Sequence, residues 1–308
     1  MSSLSVAVSP HIHTKKTTRS IMLDVIIALV PAIFASVIFF GIRPIFIISV
    51  GVAFSVLSEF VFCLITKKEN SISDLSAVVT GLLLALNVPA NLPLWQIAFG
   101  AVFATVFVKM LFGGVGQNFA NPAITARIVM LLSFGGTMTA YVFPADTVAG
   151  ATPLALIKGG VYHKLPSVFM LLLGERGGCL GETSALALIA GFIYLIAKGV
   201  ITVHTPFSFI GTVFVLSFLF GRPPLYEILT GGLLLGAIFM ATDYASSPTK
   251  KSGKVIFGIG CGVITMIIRR FGTYPEGVSF AILFMNILTP YIEKITLVKP
   301  LGVGGGRK

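Results

Sequence analysis

A polar, small-residue segment at 146–153 (DTVAGATP) contains the side chain best suited to covalent chemistry. The hydroxyl of Thr152 can form an ester, and Gly150 and Ala151 leave room beside it for a bulky group. Pro153 favours the first position of a helix, so Thr152 is the predicted N-cap. The free N–H groups and partial positive charge of a helix N-terminus can hold an anionic phosphate. The spacing alone favours the simpler interpretation, a capped helix after a loop, because Thr-Pro caps are common.

The composition is that of an integral membrane protein. Of 308 residues, 56% are hydrophobic and only 11% are charged, and the mean hydropathy is +0.98. A soluble domain carries about 25% charged residues, so this chain lacks the material for a water-exposed surface. The three cysteines are far apart and form no C-x-x-C pair, which argues against a disulfide framework and against iron–sulfur ligation. His11 and His13 are a weak basis for a metal site, and we expect none.

Hydrophobic runs predict an all-α integral membrane protein with about ten transmembrane helices. A spanning helix needs roughly 20 apolar residues, and somewhat fewer when it is buried in a bundle. The predicted spans are 22–41, 44–65, 75–89, 94–112, 122–135, 183–198, 206–220, 225–242, 254–271 and 277–296, with the third and fifth short. Interruptions such as 87–89 (NVP) predict helices that stop partway, where the bundle or a cavity satisfies the freed backbone groups.

Weak internal similarity divides the chain into two inverted five-helix repeats. The segment 79–84 resembles 229–234, and 112–113 resembles 271–272 in its position relative to the helices. Because five is odd, the second copy would have inverted topology, as in many transporters. Chance likeness of Leu/Gly-rich helices is the alternative. The predicted organisation is a cytoplasmic amino-terminal tail (1–21), a first repeat (22–135), an outer-face loop with the Thr152 segment (136–182), a second repeat (183–296) and a cytoplasmic carboxyl-terminal tail (297–308).

The distribution of Lys and Arg predicts that both termini face the cytoplasm. The side that holds the amino terminus would carry about twice as many Lys and Arg residues as the other side. The loop 136–182, and Thr152 within it, would then lie on the outer face. The net charge of +11 is explained by this asymmetry and by contact with anionic membrane lipid, so no nucleic-acid partner is expected.

A few polar residues lie where hydrocarbon should reject them. Arg127 is at the centre of a predicted span, at a cost of about 2.5–3.5 kcal/mol on insertion scales. It should therefore face the protein interior, a cavity or a bound anion. Glu59 and Asp24 lie near predicted helix ends, where snorkelling or an interfacial contact is the expectation. Asp243 and Glu276 are at helix ends beside Gly and Pro turns, where capping would explain them equally well.

Motifs along nearly the whole chain resemble one family of membrane electron-transport proteins. They are 9–12 (SPHI), 113–118 (GGVGQN), 121–123 (NPA), 150–152 (GAT), 181–184 (GETS), 241–243 (ATD), 247–249 (SPT), 274–278 (YPEGV) and Asn286. The chain resembles the D subunit of the Rnf ion-translocating electron-transport complex and, less closely, the B subunit of the sodium-translocating NADH:quinone reductase.

This resemblance implies a flavoprotein. In that family the threonine carries FMN through a phosphoester bond, which implies covalent FMN on Thr152, placed there by a flavin transferase. It further implies a bacterial inner-membrane subunit that relays electrons between ferredoxin- and NAD-linked partners, the Rnf subunits A, B, C, E and G. Sodium or proton translocation would be coupled to that flow. The subunit would belong to a translocating oxidoreductase and have no turnover alone.

The resemblance also suggests where other residues would meet a flavin. Lys158 and the helix dipole would favour the reduced, anionic flavin, and Arg127 could meet a flavin phosphate or ring carbonyl, although a carboxylate or backbone carbonyl serves it equally well. A second, non-covalent flavin (riboflavin or FMN) would lie near the inner-face turn that contains Asn118. Two alternatives stay open: a cofactor-free secondary transporter or channel with inverted repeats, and the B subunit of the quinone reductase.

Overall fold

The computed structural model of the protein describes residues 16–68, 71–142, 152–274 and 276–296. Over these residues the chain is helical, and a single antiparallel backbone bridge joins Pro89 to Cys179. The predicted tails and residues 143–151, which include Gly150 and Ala151, lie outside the described part.

The first half of the chain contains five apolar helices. They are α1 (Thr18–Phe40), α2 (Arg43–Thr66), α3 (Ser76–Leu86), α4 (Leu94–Val102, which continues as a π-helix over Phe103–Met110) and α5 (Pro122–Ser133). Side chains cap two of these helices. Thr17 and Ser20 form a capping box at α1, and Asn121 accepts from the N–H groups of the first turn of α5.

The segment between the halves is partly helical, and the second half is again built of apolar helices. The connecting helices are α6 (Gly135–Met138), α7 (Pro153–Lys158) and α8 (Val168–Leu173), followed by a 3₁₀ turn over Leu180–Glu182. The second half contains α9 (Ala185–Ala197), α10 (His204–Leu219), α11 (Pro224–Leu229), α12 (Leu233–Leu235, continued as a π-helix over Gly236–Met240), α13 (Lys251–Phe271) and α14 (Val278–Thr296).

The helices confirm a multi-pass membrane protein, although not ten full-length spans. Four helices, α1, α2, α13 and α14, are long and apolar enough to cross a membrane. Five others, α3, α4 with its π-helical part, α5, α9 and α10, are apolar but shorter. The short third and fifth helices agree with the prediction. The prediction of one continuous helix over 225–242 was wrong, because Gly231 and Gly232 both have positive φ and separate α11 from α12.

Contacts between helix ends establish the direction of several helices. Lys16, just before α1, donates a hydrogen bond to the carbonyl of Lys198, just after α9, at 2.8 Å. Helices α1 and α9 are therefore antiparallel. Lys254 bonds Thr202, before α10, at 3.2 Å, and Lys250 bonds the carbonyl of Thr296 at 3.2 Å. The start of α1 and the end of α14 thus lie at the same end of the bundle, here termed the amino-terminal end.

The opposite end of the bundle is defined by Arg43 and Arg269. Arg43, at the start of α2, donates to the carbonyl of Ala90 between α3 and α4 at 2.9 Å. Arg269, near the end of α13, donates to the Glu227 carboxylate of α11 at 2.8 Å. Helix α7 packs against α11, so Thr152 lies at this opposite end.

The crossing of α1 and α9 is very close. A Cβ added at Gly191 of α9 would lie 2.3 Å from the carbonyl oxygen of Ala28 in α1, so only glycine fits there. Small residues at such crossings let helices approach when lipid provides no hydrophobic drive for association.

Candidate functional site

Thr152 caps α7 as the sequence predicts. Its backbone is extended (φ −61°, ψ 156°), its Oγ1 accepts a hydrogen bond from the Ala155 N–H at 3.3 Å, and Pro153 occupies the first helical position. The residue is 7% exposed. The Thr152 hydroxyl accepts this hydrogen bond, and it donates none to the residues that the structure describes.

Lys158, at the end of α7, is turned towards the link between α13 and α14. Its ammonium group donates to the carbonyl oxygens of Gly272 and, at 2.9 Å, Thr273. The link 272–274 therefore lies beside the end of α7.

Arg127 faces the protein interior, as predicted, and its partner is a carboxylate. Its guanidinium forms an ion pair with Glu276 and donates to the Asn87 carbonyl at 2.9 Å and to the Ser279 hydroxyl at 2.7 Å. Tyr141 donates to the other oxygen of Glu276 at 2.6 Å. Glu276 is therefore a charge partner from the second half of the chain, in addition to its position at a helix start.

Three further ionisable groups complete what we term the buried charge cluster: Arg127, Tyr141, Arg176, Cys179, Glu182 and Glu276. The Cys179 sulfur and one carboxylate oxygen each of Glu182 and Glu276 lie within 4.8 Å of one another. Glu182 Oε1 accepts from the Cys179 N–H at 2.8 Å. Arg176 donates to the backbone carbonyls of Glu182 and, at 3.2 Å, Thr183.

Burial shifts the pKa values of the three cluster residues that lie between α8 and α9: Arg176, Cys179 and Glu182. Burial and then the negative charge of Glu276 raise the pKa of the Glu182 carboxyl from its ordinary value of 4.5 to about 7. Burial also raises the pKa of the Cys179 thiol well above its usual range and lowers that of the Arg176 guanidinium. The Glu182 carboxyl is thus a group whose charge can change near neutral pH.

A cavity of about 360 Å³ lies at the amino-terminal end of the bundle. Its polar lining comes from α1, α3, the end of the π-helix after α4, and the turns before α5 and after the second π-helix: Thr18, Ser76, Thr80, Lys109, Asn118, Asn121, Asp243 and Tyr244. Asn118 donates to the Ala120 carbonyl at 2.9 Å and to Asp243 at 3.5 Å. A volume of this size is at the lower end of the roughly 300–1,000 Å³ typical of small-molecule sites.

The expectation that Glu59 snorkels or makes an interfacial contact was wrong, because its side chain is bonded inside the protein. Glu59 is fully buried and forms an ion pair with Lys109 at 2.6 Å, while Ser71 donates to its other oxygen. Lys109 also donates to the Ser76 hydroxyl at 2.6 Å, so both described partners of its ammonium group lie inside the protein. The two partners are 50 residues apart on different helices, which hydropathy alone does not reveal. Asp24 is half-buried and accepts from Tyr194 at 2.8 Å.

Comparison with protein families agrees with this architecture and with the motifs. The model of the NQR2, RnfD, RnfE family matches residues 5–302. The chain belongs to this family. Together with the relatives described next, this match confirms the resemblance to the D subunit of Rnf complexes over nearly the full length of the chain.

Three relatives of this family member have names that specify the complex. The chain is 49% identical over 304 residues to the D subunit of the Na⁺-translocating ferredoxin:NAD⁺ oxidoreductase complex of Acetobacterium woodii, covering 97% of this chain and 96% of the relative. It is 37% identical to the D subunit of the proton-translocating ferredoxin:NAD⁺ oxidoreductase complex of Clostridium ljungdahlii (95% and 94% covered). It is 34% identical to the D subunit of the ion-translocating oxidoreductase complex of Ectopseudomonas mendocina (96% and 94%).

In this family member the structure places the predicted site residues that it describes at three different sites. Thr152 and Lys158 lie on α7 at the opposite end of the bundle, whereas Asn118 lines the cavity at the amino-terminal end. Arg127 belongs to the buried charge cluster. Sequence reasoning did not identify Tyr141, Arg176, Cys179 and Glu182 as a group. Arg176 and Cys179 come just before the motif 181–184, which was the one signal, whereas Tyr141, Arg127 and Glu276 are distant from it in the chain.

Proposed function

We propose that this protein is the membrane subunit of an Rnf-type complex that carries FMN esterified to Thr152 and relays electrons between neighbouring subunits while sodium or protons are translocated. The observation that carries this proposal is the capping threonine at the family's attachment motif, in a chain that belongs to the family throughout its length. The relatives' names specify an oxidoreductase complex that moves Na⁺ or H⁺, which supports the proposal that this protein works with other subunits in an ion-translocating complex.

The surroundings of Thr152 are compatible with an ester. Esterification removes the hydroxyl hydrogen and keeps Oγ1, so the bond accepted from the Ala155 N–H can persist. No described contact depends on the hydrogen that would be lost. The attached flavin would supply the redox chemistry, and the protein supplies its position and electrostatics.

The chain's own residues would tune this end of the bundle. Lys158 holds its positive charge against the carbonyls of Gly272 and Thr273, one helix length from Thr152. A fixed cation at this distance favours any group nearby that gains negative charge, and burial strengthens that effect. The Arg127–Glu276 pair is internally balanced, so Arg127 acts as a positioning residue of the bundle and has no need of a flavin phosphate.

The orientation we propose places both termini in the cytoplasm and Thr152 at the outer face of a bacterial inner membrane. The described ends of α1 and α14 share one end of the bundle, and α7 lies at the other. The antiparallel directions of α1 and α9, the first helices of the two halves, support two inverted repeats. Partners would be the other Rnf subunits, membrane lipid and, during maturation, a flavin transferase.

A second, non-covalent flavin is proposed for the cavity at the amino-terminal end. Asn118, Asn121 and Ser76 line this cavity, whose volume lies in the range of small-molecule sites, and the Asn118 amide would exchange its bonds to Ala120 and Asp243 for a polar ring. Asn118→Ala should lower the flavin released on denaturation while leaving covalent flavin unchanged. Unchanged release would contradict this part of the proposal.

Fluorescence of the denatured chain tests the central claim. The full chain is produced in a host that has the flavin transferase, purified, and run on a denaturing gel. The wild-type band should fluoresce, Thr152→Ala should be dark, and Thr147→Ala, a matched threonine in the same segment, should fluoresce. Mass spectrometry of the peptide that spans Thr152 should show the added mass of FMN. A dark wild-type band would favour the cofactor-free transporter.

A further inference from the structure

Four glutamates are buried among the described residues, and Glu182 differs from the other three. Glu59 is bonded by Lys109 and Ser71, one partner on each oxygen. Glu227 is bonded through both oxygens to Arg222 and Arg269, at 2.9 and 2.8 Å. Glu276 is bonded through both oxygens to Arg127 and Tyr141. The three have a direct cation on one oxygen and a further donor on the other.

Glu182 has neither of these features. Its Oε1 accepts from the Cys179 N–H, and its Oε2 is buried without a described hydrogen-bond partner. The nearby Arg176 is directed to backbone carbonyls and leaves the carboxylate without an ion pair. A buried ionised carboxylate lacking a cation is costly, whereas the protonated acid is neutral and carries little of that cost.

The charged groups around Glu182 set the balance of its two protonation states. Those that face it are Arg127, Arg176, Cys179, Tyr141 and Glu276. The helices packed against the turn 180–182 add no charged group near Glu182. Helices α3 and α12 contain no ionisable residue, and the ionisable residues of α1, Arg19 and Asp24, lie in the first two turns of α1 at the amino-terminal end. Cys179 and Tyr141 are neutral, which leaves two arginines and two glutamates. The net charge of these four groups is zero when Glu182 is ionised and +1 when it is protonated.

The carboxyl lies close to the helix that begins at Thr152. A Cβ on Gly232 would be 2.8 Å from Glu182 Oε2, and one on the preceding Gly231 would be 2.1 Å from the side chain of Leu154. Two adjacent glycines with φ of 66° and 68° are thus the spacer between Glu182 and the first turn of α7. Glu182 therefore belongs to the same end of the bundle as Thr152.

We propose that the Glu182 carboxyl is a proton-binding site, which takes up one proton from water and releases it again beside the Thr152 helix. This inference goes beyond the proposed function and does not depend on it, because the proton equilibrium is a property of the buried charge cluster. The orphan Oε2 is the atom that carries the proton. Its pKa near neutrality supports exchange under ordinary conditions.

Infrared difference spectroscopy between acid and alkaline pH tests this site. The purified full chain in detergent, labelled with ¹³C-glutamate, should show a protonated carboxyl C=O band that shifts with the label and disappears with a midpoint near neutral pH. The band should be absent from Glu182→Gln, whose amide keeps the acceptor for the Cys179 N–H. It should be unchanged in Glu175→Gln, an exposed glutamate of the same segment.

Each outcome bears on the inference separately from the flavin proposal. A wild-type spectrum without a titrating glutamic acid band near neutrality overturns the proton site whether or not the variants fold, and so does a band that persists in Glu182→Gln. In Thr152→Ala the band should remain although flavin fluorescence is lost. A dark wild-type gel band with an intact Glu182 signal would overturn the covalent flavin alone.

Discussion

Removing the charge of Glu182 should stabilise the protein at alkaline pH. The folded-state pKa of this carboxyl, about 7, lies above its ordinary value of 4.5, so the folded state binds the proton more tightly than the unfolded chain. The stability that this provides is complete below pH 4.5 and is lost as the pH rises through 7. A shift of about 2.5 units corresponds to about 3 kcal/mol, most of which falls between pH 5 and pH 8.

The variant Glu182→Gln has no proton to lose and should escape this loss. Relative to the wild type, its free energy of unfolding should rise by about 2–3 kcal/mol between pH 5 and pH 8, or roughly 5 °C in unfolding temperature. The unfolding temperature can be followed in detergent with a thiol-reactive dye, because Cys63, Cys179 and Cys261 are free and buried. Glu175→Gln should follow the wild type at every pH. If the Glu182→Gln and wild-type curves run parallel from about pH 5 to pH 8, the reasoning is refuted.

Three further perturbations have defined outcomes. Lys109→Met leaves Glu59 charged and buried, which should cost about 3–5 kcal/mol in thermal unfolding, and adding Glu59→Gln should recover much of it; an equally unstable double variant would contradict the pairing. Gly232→Ala should cost at least about 1–2 kcal/mol, because φ is 68° and a carboxylate oxygen lies 2.8 Å from the new Cβ. Gly221→Ala is the matched control, with φ 66° and no atom within 4 Å; a loss as large there would assign the effect to backbone strain alone. Lys158→Ala should lower the flavin midpoint potential in a redox titration, and an unchanged potential would remove its proposed electrostatic role.

Hydropathy and local motifs predict the helices but do not predict their partners. Most of the predicted spans recur as helices, since apolar length is a local property. The N-cap role of Thr152 was equally local, because Thr-Pro fixes the start of α7 within two residues. The break in the predicted span 225–242 was missed because Leu-rich flanks outweighed the Gly231-Gly232 pair.

Long-range charge pairing was not accessible in this way. Glu59 lies in a helix whose hydropathy is that of a transmembrane helix. Its partner Lys109 lies near the end of a predicted span, where a lysine is ordinarily explained by the positive-inside rule. Arg127 and Glu276 are separated by nearly half of the chain. A single sequence contains no information on such distances, so it predicts that Arg127 needs a partner but does not indicate which residue provides it.

The contact between Gly191 and the Ala28 carbonyl bears on how the molecule can move. Two helices in backbone contact, with no side chain between them, cannot slide or tilt past one another without a steric clash. Alternating-access carriers work by rocking one repeat against the other. Direct backbone contact between α1 and α9, one helix from each half, opposes that motion. This contact thus restrains movement of one half against the other, which would suit the electron relay proposed above, since such a relay needs constant distances between redox groups.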